Sequence, residues 1–152
     1  MAETISEGPF RRVLVATRGR PWSDRALELA IRMAKAYQLE LVIVSILTPP
    51  YVPDRAATWG IATAPEVEDG VEHLVRRVLR EASALAEANA LKYICEIRHG
   101  RPAEEIVKAV EQYQCDLILI GSRGQSGVRR VTMGETGNEV VLKAPVPVIV
   151  VK

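Results

Sequence analysis

The chain is 152 residues long, and its 48% hydrophobic and 26% charged content suits one domain with a sizeable core. A formal net charge of +1 gives no general attraction to nucleic acid or an anionic membrane, and the longest apolar runs, 39–47 and 146–151, are far too short to cross a bilayer. The first seven residues lack the basic and apolar regions of a secretory signal, and two cysteines make neither a disulfide framework nor a metal-ligand set, so a soluble cytoplasmic protein with no membrane or nucleic-acid partner is expected.

Residues 1–10 carry no periodicity and are expected as a flexible tail before one domain spanning 11–152. A continuous apolar run at 12–17 predicts a strand covered on both faces. Arg18-Gly19-Arg20-Pro21 interrupts it, and Pro21 suits a first helical position. Ala26, Leu27, Ala30, Ile31 and Ala34 then recur at helical spacing, which predicts an amphipathic helix over about 22–37. Residues 39–47 return to the pattern of a fully covered strand. The stretch 48–65, with four prolines and Trp59, is the one long irregular connection, of a length that suits a lid, a binding loop or disorder.

A second, longer amphipathic helix follows, marked by Val71, Leu74, Val78, Leu79, Ala82 and Ala86, with Glu72, Arg76, Arg77, Arg80 and Glu81 on a solvated face. Alternation of apolar and polar residues over 91–98 predicts a half-covered edge strand. Gly100-Arg101-Pro102 starts a helix with Glu104 and Glu105 in its first turn and Ile106, Val107 and Val110 on its buried face. Residues 116–120 form another apolar strand, a glycine-containing stretch runs from Gly121 to Gly134, and 139–143 predicts a short helix. The final strand, 146–151, contains Pro147, which cannot donate to a ladder and so belongs at a sheet edge. Cys95 and Cys115 are expected as small buried hydrophobes.

Strictly alternating strands and helices with two-sided apolar strands predict an α/β fold: a five-stranded parallel, doubly wound, Rossmann-like sheet with helices on both faces. Ligands in such sheets bind beyond the carboxyl ends of the strands where strand order reverses. The order 3-2-1-4-5 is the expectation that sets the turn after the first strand beside the glycine stretch after the fourth.

A glycine at a strand exit lets a ligand or another backbone approach closely, and a helix start favours an anion, phosphate above all. Glycines also mark ordinary turns, so this spacing by itself leaves both readings open. A Gly-Lys-Ser/Thr phosphate loop is excluded, because Gly127 is followed by Val128 and Arg129, and the first strand is not followed by Gly-x-Gly-x-x-Gly.

The stretch does resemble that of the universal stress protein family. Its ATP-binding branch carries Gly, two residues, Gly, nine residues, then Gly and a hydroxyl residue; here Gly121, Gly124 and Gly134 stand at those spacings. The likeness extends along nearly the whole domain, through residues 13–17 with Gly19, Gly100 with Pro102 and Ile106, and Ala144-Pro145-Val146-Pro147-Val148. It implies a regulatory protein, not an enzyme, that binds ATP or another adenine nucleotide, with magnesium as an optional companion. The implied binding residues are Ala16, Thr17, Arg18 and Gly19 after the first strand, Ile46 at the end of the second, Gly121, Ser122, Arg123, Gly124 and Gln125 after the fourth, and Gly134, Glu135 and Thr136. No catalytic or metal-ligating residue is expected: His73 and His99 suit surface or packing roles, and Ser122, Ser126 and Thr132 have no base visible in the sequence.

Two positions depart from the family's binding pattern. Arg18 stands where the family has an acid that helps hold the nucleotide, and Glu135 where it has a hydroxyl that helps hold phosphate. Like charges about 4 Å apart repel by roughly 4 kcal/mol at an effective dielectric near 20, so Glu135 opposes phosphate at this end. Three outcomes are open: ATP held with help from Arg18, Arg20, Arg123 or a divalent metal; a site plugged by Glu135 pairing with Arg18 or Arg20; or a different anionic ligand such as a nucleoside monophosphate or phosphate. An open apolar edge at 146–151 also predicts a homodimer paired through that strand, or else an edge covered by the tail.

Overall fold

A computed structural model of the chain describes residues 8–48, 64–122 and 134–152, with side chains from residue 70 in the second segment. Nine elements alternate: β1 (Arg12–Ala16), α1 (Pro21–Tyr37), β2 (Glu40–Leu47), α2 (Ala64–Ala88), β3 (Tyr93–His99), α3 (Pro102–Tyr113), β4 (Leu117–Gly121), α4 (Glu135–Lys143) and β5 (Val148–Val151). All five strands are parallel in the order β3-β2-β1-β4-β5, the expected 3-2-1-4-5.

The two-sided apolar strands account for the layering. Val13, Val15, Leu41, Ile43 and Leu119 turn to one face and bury Ala26, Ala30 and Leu27 of α1 with Leu79 and Ala82 of α2. Leu14, Val42, Val44 and Ile118 turn to the other and bury Ile106 and Val110 of α3 with Val140 of α4. β1 lies at the centre, between β2, the next strand in the chain, and β4, which is distant in sequence. Its junction with β4 is fixed at the amino end by Asp116, whose carboxylate accepts the backbone N–H groups of Arg11 at 2.8 Å and Arg12 at 3.0 Å. The Arg12 guanidinium ties the same end together, pairing with Glu40 and donating to the Tyr113 carbonyl.

The two sheet edges differ. On β3, Glu96 and Arg98 alternate with Cys95 and Ile97, and Arg98 is held by Glu96 at 2.6 Å and by Glu105 of α3 at 3.1 Å. β5 carries only Val148, Ile149, Val150 and Val151, all half-buried. Pro147 does lie at the sheet edge, where its carbonyl accepts from the Ile118 N–H at 3.0 Å.

Most element boundaries agree with expectation to within two residues. The exceptions are the long helix, which begins at Ala64, and α4, which begins at Glu135 and not at 139. Glu135-Thr136-Gly137-Asn138 has no apolar periodicity, but Gly134 starts the turn and its carbonyl accepts from the Asn138 N–H at 3.1 Å. Most of the expected tail at 1–10 and of the connection at 48–65, Trp59 included, lies outside the described residues. Cys115 is buried, and burial above all pushes its thiol up to about 12; Cys95 is half-buried and its thiol is likewise raised, chiefly by burial. Among the described residues no helix is long and apolar enough to cross a membrane.

Candidate functional site

A cavity of about 270 Å³ lies beyond the carboxyl ends of β1, β2 and β4, at the reversal of strand order. Its floor is apolar: Ala16, Ile46 and Ile120 end the three strands, and Pro102 and Ile106 come from the start of α3. Polar groups meet at its sides, with Thr17 and Arg18 from the turn after β1, Trp22 and Ser23 from the first turn of α1, and Gly134, Glu135, Thr136 and Gly137 from the start of α4.

The turn after β1 is held rigid from within. The Ser23 hydroxyl accepts the N–H groups of Arg18 at 3.2 Å and Arg20 at 3.1 Å, and donates to the Arg20 carbonyl at 2.9 Å. Thr17 is almost wholly buried, its N–H donates to the Val44 carbonyl at 2.9 Å, and its hydroxyl lies 3.5 Å from that of Ser23. Arg18 therefore projects from a fixed turn, and its side chain is exposed.

Gly121 answers the question its spacing raised. A Cβ placed there would stand 2.2 Å from the Trp22 carbonyl oxygen and 3.0 Å from the Ser23 nitrogen. The neighbour that requires glycine is the first turn of α1, another backbone, which β4 and α1 bring together as they close one side of the cavity.

Eight of the sequence-predicted residues converge on the cavity: Ala16, Thr17, Arg18, Ile46, Gly121, Gly134, Glu135 and Thr136. Gly19 and Ser122 are not among its lining. Gly19 has φ +69° and turns toward α2, where an added Cβ would meet Val78 at 2.6 Å. It lines a separate groove of about 810 Å³ between α1 and α2, whose wall also includes Thr17 and Arg18. The Ser122 N–H is taken up in the sheet, donating to the Val151 carbonyl at 2.8 Å. Arg123, Gly124 and Gln125 lie outside the described residues.

Sequence reasoning missed Trp22, Ser23, Pro102, Ile106, Ile120 and Gly137. The carboxyl-end rule contained a signal for Ile120, since it precedes Gly121 as Ala16 precedes Thr17. Pro102 and Ile106 were assigned to a helix start and a core face, and a helix start beside a reversal point serves the site as well. Among the described residues no ion pair joins Glu135 to Arg18 or Arg20, and no cluster of three His, Cys, Asp or Glu side chains is placed to hold a metal. Chemically, the floor suits a flat apolar group, and the start of α4, as a helix N-terminus, suits an anion.

Comparison with known proteins agrees with this fold. The family model described as the universal stress protein family matches residues 9–152. Universal stress protein MJ0531 of Methanocaldococcus jannaschii is 30% identical over 148 residues, covering 96% of this chain and 84% of the relative. Among solved structures, universal stress protein UspA from Lactobacillus plantarum superposes with a TM-score of 0.77 at 24% identity, over 95% of this chain and 99% of its own. A universal stress protein from Archaeoglobus fulgidus, solved in complex with dAMP, superposes with a TM-score of 0.63 at 20% identity, over 93% and 98% of the two chains.

Proposed function

The chain belongs to the universal stress protein family, and from that premise we propose that it is a regulatory protein that binds an adenine nucleotide in the cavity at the carboxyl ends of β1, β2 and β4. The observation that carries this reading is the convergence, in one cavity, of the turn after β1 with the start of α4 around an apolar floor. Such a site takes a base against Ile46, Ile106 and Ile120 and an anion toward Thr136 and Gly137. The dAMP held by the Archaeoglobus fulgidus relative supports the ligand class. A binding role is favoured over a catalytic one because the Ser23 hydroxyl already serves the turn after β1.

The same reading makes the protein a homodimer through β5. Glu96 and Arg98 guard the β3 edge, whereas β5 offers an unguarded row of valine and isoleucine, the edge that a second copy would cover.

Calorimetric titration of AMP and ATP, with and without magnesium, tests the site. Native protein is expected to give saturable binding of at least one of them, one site per chain. No binding by the native chain, with binding gained in an Arg18→Asp, Glu135→Ser double variant, would replace this reading with that of a nucleotide-free interaction module.

A further inference from the structure

The charge at the two sides of the cavity differs in a way that bears on how many phosphates it accepts, and the following inference rests on the nucleotide reading above. A helix start carries about half a positive charge, enough to draw one phosphate. In α4 that start is formed by Glu135, Thr136 and Gly137, all three lining the cavity, and the carboxylate of Glu135 brings a full negative charge to the same place. The balance of those two charges is negative. The compensating cation among the described lining residues is Arg18, which belongs to the turn after β1 and is held there by Ser23.

We infer that Glu135 is a specificity-determining residue that restricts this cavity to nucleosides carrying a single phosphate and disfavours the triphosphate. One phosphate is matched by Arg18 together with the N–H groups at the start of α4. Each further phosphate adds negative charge that must lie against the Glu135 carboxylate, and among the described lining residues Arg18 is the one cation present to offset it. Glu135 is the first residue of α4 and exposed, so removing its charge leaves the core untouched.

The test is calorimetric titration of adenosine, AMP and ATP, each with and without magnesium, into the native protein, Glu135→Gln and Arg18→Gln. Native protein is expected to bind AMP at least about tenfold more tightly than ATP, which is about 1.4 kcal/mol. Glu135→Gln should strengthen ATP by about tenfold and leave adenosine unchanged, and Arg18→Gln should bring AMP down toward adenosine. Equal affinity of the native protein for AMP and ATP overturns the inference, as does an AMP-to-ATP ratio that Glu135→Gln leaves unmoved. Tight magnesium-dependent ATP binding that weakens in Glu135→Gln also overturns it, since the carboxylate would then serve the metal. In those three cases the nucleotide reading stands. If no protein binds adenosine, AMP or ATP, the nucleotide reading fails and the inference falls with it.

Discussion

At the scale of single residues, two glycines carry different demands. Gly121 has the Trp22 carbonyl 2.2 Å from where its Cβ would be, and neither partner is the free end of a side chain. Gly121→Ala is therefore expected to cost about 1–3 kcal/mol, visible as a lower urea midpoint, because backbone must move. Gly19 combines φ +69° with a close Val78, so Gly19→Ala should lose about 1–2 kcal/mol through the left-handed conformation. The glycine spacing was legible in the sequence, but its cause at Gly121 was not, since nothing local to 121 announces the first turn of α1. Ser23 was illegible for the same reason: its three hydrogen bonds go to a turn whose shape only exists once β1 and α1 are set. Trp22 supplies a direct report on the cavity. In a Trp59→Phe variant, where Trp22 is the remaining tryptophan, saturating nucleotide should change the emission intensity or wavelength. Unchanged emission alongside calorimetric binding would place the ligand elsewhere.

At the scale of elements, the position of α3 is set by a polar tie across to β3. Arg98 bridges Glu96 and Glu105, Lys108 reaches Glu105 at 3.1 Å, and the Tyr113 hydroxyl donates to Glu96 at 2.7 Å. Burial works to raise the Glu105 carboxyl, but hydrogen bonds from Lys108 and Arg98 outweigh it and hold it below the usual glutamate range. A lowered folded value means the unfolded chain binds the proton first, so this stabilisation is complete above about pH 4.3 and is lost as pH falls through the lowered folded value. Glu105→Gln should accordingly melt below the native protein at pH 7, with the gap closing in more acidic solution; a gap that is constant with pH would remove the ion pair from the account. The alternation that made β3 legible as an edge strand reflects this tie. α4 was only half legible, because its first turn is polar and faces the cavity, so its periodicity begins one turn late.

At the scale of the whole molecule, the strand-helix alternation sufficed for the layered parallel sheet, because the two apolar faces of β1, β2 and β4 demand cover on both sides. The proposed dimer is tested at its edge. The Pro147 and Val151 carbonyls point inward to β4, so the N–H of Val150 points outward. Val150→Pro removes that outward donor and leaves the inward ladder intact. Light scattering should give twice the 16.7 kDa chain mass for native protein and the single mass for the variant; a native monomer at all concentrations would sink the dimer. The junction of β1 with β4 has a consequence for how the chain reaches this state. Val13 pairs with Leu117, so roughly a hundred residues must be closed into one loop before the central strand has both neighbours. Until β4 emerges from the ribosome, β1, β2 and β3 can assemble only with one side of β1 bare, a sticky intermediate by its nature. Nascent chains released before residue 117 should therefore stay protease-sensitive and recruit chaperones, and the transition to resistance should coincide with synthesis of β4 and its flanking helices.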